Sequence, residues 1–148
     1  MGGRFWISVV VMFALSFALG FVVHGVMLHG DYAELPNLLR AETDAQHYFG
    51  WMLLADAFIG FGITWIYIKG REAGKPFLGQ GIRFGIALAV LMTIPMYLIY
   101  YAVQPWPGAV VVKQIVYDGI GMILRGIVVA ALNQGPSPTQ IADPQKRA

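Results

Sequence analysis

The sequence predicts an all-α integral membrane protein, an up-down-up-down bundle of four helices with both chain ends on the cytoplasmic side. Three observations carry that expectation. Hydrophobic residues make up 57% of the 148 positions and charged residues 12%, about half the charged share of a soluble chain, and the mean hydropathy is +0.63. Four apolar stretches are each long enough to cross about 30 Å of hydrocarbon, which takes about 20 helical residues. Lysine and arginine gather in alternate connections, as the cytoplasmic bias of basic loops requires.

The chain fits one domain. The spans are expected at about Phe5 to Leu28, Tyr48 to Ile68, Ile82 to Ala102 and Val110 to Leu132. Lipid offers backbone amides no partner, so these are helices. Residues 1–133 then form the transmembrane domain. Residues 134–148, "QGPSPTQIADPQKRA", form a polar cytoplasmic tail whose composition disfavours a packed structure. Arg4 and "ALG" (Ala18 to Gly20) give the first span the look of a signal peptide. Its apolar stretch exceeds the about 7–15 residues of a signal core, so a retained helix is expected.

Orientation follows from the connections. "KGREAGKPFLGQGIR" carries Lys69, Arg71, Lys75 and Arg83, whereas "HGDYAELPNLLRAETDAQ" sets Arg40 among Asp31, Glu34, Glu42 and Asp44. With Arg4, Lys146 and Arg147 joining the basic side, the acidic loop lies outside. "TDAQ", Thr43 to Gln46, matches a capping box that would start the second helix. Trp106 between Pro105 and Pro107 marks a tight outer turn. "YAELPNLL" reads as a packed loop in preference to a surface-lying amphipathic segment. Gly81, Gly85 and Ala89, and Gly126 with Ala130, have the four-residue spacing that lets helix backbones approach closely. Pro95 should kink the third helix.

Ionisable residues inside hydrocarbon ask for partners. A charge at mid-span costs about 2.5–3.5 kcal/mol on insertion scales. At 1.5 Å per residue, Asp56 sits about 12 Å below the outer boundary and Arg125 about 15 Å down, with Ser16 and Thr93 at similar depth. Asp118 lies two turns before Arg125 on the same face, and His24 is at its height. The expectation is a buried Asp56–Arg125 ion pair with His24 and Asp118 as a second couple, the natural place for a mobile proton. Asp56, Asp118, Arg125, His24 and Thr93 are the candidate binding or proton-relay residues.

Other chemistry is weakly supported. The chain has no cysteine, which excludes disulfides and thiolate metal sites. His24, His29 and His47 share the outer side and are the only metal or haem candidates, but no ligand spacing motif joins them. "GREAGKPFLGQG" lacks Walker A spacing, and Pro76 stands where Ser or Thr is needed, so its basic residues are better matched to anionic lipid. No cofactor is expected. A net charge of +2 gives no footprint for nucleic acid.

The stretches "GFVVHG", "WMLLADAF", "IPMYLIYYAVQPWPG" and "VYDGIGMILRG" resemble those of small uncharacterised four-span proteins of bacterial inner membranes. The resemblance covers nearly the whole chain apart from the tail. It implies a bacterial inner-membrane location and brings no activity, cofactor or site residues with it. The expected function is therefore a non-catalytic accessory, assembly or structural module with a buried charge cluster. Its expected partners are membrane lipids and a larger membrane complex or further copies of the chain. The alternative is a small proton-coupled transporter or carrier using the Asp/Arg/His cluster. An enzyme or cofactor binder built on the outer histidines lacks a nucleophile–base pair or ligand set.

Overall fold

In a computed structural model, residues 2–134 are described; the tail from 135 onward lies outside them. Four helices are long and apolar enough to cross a membrane: Gly3–Met27, Thr43–Gly70, Phe77–Val103 and Gly108–Leu132. They are the first to fourth spans below. At 25 to 28 residues each, they reach about 38–42 Å and so project beyond a hydrocarbon core of about 30 Å. Among the described residues there is no strand.

The second span begins differently from the expected capping box. The Ala41 carbonyl accepts the N–H groups of Asp44 and Ala45, so Thr43 already lies within the first turn and cannot serve as its cap. A turn of 3-10 helix at Gln46–Tyr48 joins this start to the long Phe49–Gly70 segment.

Each span buries one stripe. On the first it is Phe5, Ser8, Met12 and Ser16; on the second, Gly60, Ile63, Thr64 and Tyr67. Spacings of three and four residues put such side chains on one helix face. The opposite faces are apolar and bare, with Phe58 70% and Leu91 76% exposed. In water, patches of that kind would drive association; hydrocarbon covers them.

The first span packs on the second and the third on the fourth, and the fourth also lies against the first. Glycine sets how close they come. A Cβ on Gly85 would stand 2.5 Å from the Ile123 Cα, and one on Gly81 2.7 Å from the Gly126 carbonyl oxygen. The third and fourth spans therefore touch backbone to backbone, as the four-residue spacing anticipates. Gly60 does the same between the first two spans, where an added Cβ would lie 2.8 Å from the Phe13 nitrogen. Met12, Ile63, Tyr67, Leu88, Met122 and Val129 fill the centre.

Two stretches are wound as π-helix. Ala89–Thr93 ends two residues before Pro95, which has no N–H to return to the carbonyl four residues earlier; the wider winding falls where that hydrogen bond is lost. Phe21–Met27 is π-helical without any proline. Beyond it the outer loop makes a short helix, His29–Ala33, that carries Tyr32 back onto the bundle.

Candidate functional site

The fourth span faces the first through three polar rungs. Asn133 Nδ2 donates to Ser8 Oγ at 3.0 Å. Arg125 Nε donates to Ser16 Oγ at 3.1 Å, and its Nη2 to the Ser16 carbonyl at 3.4 Å. His24 Nε2 lies 3.3 Å from Asp118 Oδ2. Positions 8, 16 and 24 rise while 133, 125 and 118 descend, so the two helices run antiparallel. Eight residues of α-helix turn about 800°, about 80° past two full turns. The wider π winding between Phe21 and Met27 turns less per residue and helps return His24 to the face that carries Ser16.

The outermost rung is the centre of a larger network. Tyr97 of the third span donates its hydroxyl to Asp118 Oδ2. His24 Nδ1 lies 2.7 Å from the Tyr32 hydroxyl, which also accepts from Gln114 Nε2 at 3.0 Å. The tautomer that satisfies every group has the Tyr32 O–H donating to Nδ1 and the proton on Nε2 facing Asp118. The His24 and Tyr32 rings stack at 6.0 Å with planes 8° apart, and Trp106 meets Tyr32 edge-on. The loop is thereby tied to the first and fourth spans. Lys113 adds a bidentate pair to Asp31, at 2.7 and 2.9 Å.

Above this network is a cleft of about 290 Å³, walled by Tyr32, Tyr97, Tyr100 and Trp106 with His24 and Gln114 among its lining. The His24 side chain keeps 38% of its surface exposed and Asp118 16%, so the couple is open to the cleft. Burial, opposed by the Gln114 hydrogen bond and aided by Asp118 and Asp31, pushes the Tyr32 phenol above its usual 10.0. That is opposite to the activation a phenolate nucleophile needs. The Tyr32–His24–Asp118 chain can hold a loop and pass a proton along its hydrogen bonds.

The other candidates are placed as follows. Arg125 is 6% exposed, but Asp56 is not its ion-pair partner: the expected Asp56–Arg125 pair is not formed, and among the described residues no cation lies within 4 Å of Asp56. The reason is which helices are neighbours. Arg125 faces the first span, where Ser16 offers a hydroxyl and a carbonyl. Asp56 is half-buried on the second span's inward stripe, one turn outside Gly60, and this span packs mainly on the first. Thr93 is buried, and its hydroxyl has no partner among the described residues; it does not join the rungs. His29 and His47 are exposed, and no three metal-ligating side chains converge among the described residues.

Sequence reasoning missed the contributions of Tyr32, Tyr97, Gln114, Ser8 and Asn133. Tyr97 reads as a packing aromatic, and Tyr32 sits in a loop whose course is not periodic. One signal was present: polar residues at 8, 16 and 24 match polar residues at 118, 125 and 133 in an antiparallel partner.

The architecture defines the class as a multi-pass four-helix membrane protein. No family model matches the chain, and no curated protein or solved structure is similar to it at a significant level.

Proposed function

We propose that this chain is a non-catalytic module of a bacterial inner membrane, an accessory or assembly partner whose polar ladder fixes the packing and register of its own bundle. The observation that carries the reading is mutual satisfaction. Arg125, Asn133, Asp118, His24, Gln114 and Tyr32 find their partners inside the bundle. Buried polar groups used in this way specify which helices meet. The orientation places the chain ends and the loop of Lys69, Arg71, Lys75 and Arg83 in the cytoplasm, and the Asp31–Asp44 loop outside, on the strength of charge asymmetry. The chain lacks cysteine, so Asn37→Cys and Ala73→Cys test this directly. An impermeant maleimide should label the first in intact cells and the second only after permeabilisation.

Purification in mild detergent followed by mass spectrometry of the intact assembly tests the function. Co-purification with a larger membrane complex or a defined oligomer is expected. A lone protomer whose proteoliposomes carry an Asp56-dependent proton flux would overturn it.

That flux belongs to the second reading, a small proton-coupled carrier. One observation favours it: Asp56 faces inward with no ion-pair partner among the described residues, and intramembrane carboxylates of that kind are typical of proton pathways.

A further inference from the structure

At the end of the bundle opposite His24, the start of the first span and the ends of the second and fourth surround a second cleft. It encloses about 310 Å³ and is lined by Arg4, Phe5, Trp65, Lys69, Arg71 and Asn133, with no acidic residue among the described residues of its lining. We propose that this cleft binds the phosphate ester of an anionic phospholipid.

Three observations support it. The first is unbalanced charge. Lys69 has no ion-pair partner among the described residues. Arg4 gives one N–H to the Gln134 carbonyl at 3.4 Å, and Arg71 gives one to the Asn133 carbonyl. A guanidinium has five N–H donors, so both retain most of theirs. The neighbouring acid, Glu72, is turned to Lys75 at 3.8 Å and Arg83 at 3.3 Å. Three cations thus share one cleft, and their repulsion is relieved by an anion.

The second is level. Arg4 is in the first turn of its span and Lys69 in the last turn of its own, which is the height of lipid phosphates. The third is the wall below. Trp65 lies one turn deeper than Lys69 on the same face and is 44% exposed, an amphipathic ring at the depth of the glycerol and first methylenes. A free inorganic phosphate would gain the cations but leave that wall unused. The site goes beyond the assembly reading and does not depend on it, nor on which leaflet faces the cytoplasm.

The test is native mass spectrometry of the full chain in a neutral detergent, titrated separately with phosphatidylglycerol, phosphatidylcholine and inorganic phosphate. One tightly held phosphatidylglycerol is expected, with phosphatidylcholine at least about tenfold weaker. The Arg4→Gln/Lys69→Gln double variant should lose about twenty-five-fold, two cations each worth about fivefold at an anionic surface. Glu72→Gln/Lys75→Gln/Arg83→Gln removes two cations from the same side but outside the cleft, together with the acid they hold, and should bind as the unaltered chain does. Equal loss in both variants, equal binding of the two lipids, or displacement of lipid by inorganic phosphate would each overturn the proposal. The lipid comparison and the phosphate competition need no variant, so a double variant that does not fold leaves the proposal open to refutation.

Discussion

Arg125 and Ser16 meet in the middle of the bundle, the guanidinium Nε donating to the serine hydroxyl at 3.1 Å. The contact brings together the most buried cation and the first span, and it explains how an arginine tolerates that depth. Its donors are aimed at a hydroxyl and a carbonyl on a helix one packing distance away, with no carboxylate of the described residues in contact.

Ser16→Ala should therefore destabilise the protein by about 1 kcal/mol, between the average of about 0.6 for hydrogen bonds within membranes and the higher values for charged donors. Arg125→Leu removes the charge that needs solvating and should cost little, as replacing buried ions by apolar groups often does. Ser16→Ala made on that background should then be nearly silent. Unfolding of the four proteins in detergent gives the coupling; additive effects would deny the contact its importance.

The outer loop should depend on Asp118. Asp118→Asn keeps the side chain's shape but removes the charge that accepts from both His24 and Tyr97. Backbone amides from Leu28 to Glu34 should exchange hydrogen faster while the four spans keep their protection. Unchanged protection in this segment would mean that the loop is held by its apolar contacts alone.

Alkali should release the same loop. The Tyr32 phenol is raised above 10.0 in the folded chain, so folding favours its neutral form. The stabilisation is complete below pH 10 and is lost as pH climbs past that value toward the folded pKa. Loop protection should fall across that range, and Tyr32→Phe should flatten the dependence. A pH profile identical in the variant would assign the effect to another group.

Glycine positions should separate by what they touch. Gly85→Ala sets a methyl against the Ile123 backbone and should cost about 1–3 kcal/mol, the usual range for overpacking. Gly62→Ala meets nothing within 4 Å and should be neutral or stabilising by up to about 1 kcal/mol through helix propensity. Thermal unfolding of both variants checks the contrast.

What was legible in the sequence is what depends on position along a single helix. The four spans follow from apolar run length, and the Gly81–Gly85–Gly126 contact from small residues at helical spacing. The common height of His24 and Asp118 follows from depth; that they meet is seen only in the structure. Depth does not say which helix stands beside which, and the expected Asp56–Arg125 pair failed there. Tyr32 escaped because a loop has no period to read. The π winding at Phe21–Met27 escaped because no proline announces it, unlike the one before Pro95.

That unannounced winding has a geometric equivalent. Seven residues of plain α-helix turn about 700°, within about 20° of two revolutions. A chain with one residue fewer between Ser16 and His24 would therefore carry the imidazole to the same side by ordinary winding. The bulge acts as a local absorber for a single surplus residue. A one-residue deletion there should prove milder than the same deletion in the tightly apposed third or fourth span, where no slack exists to take up the phase change.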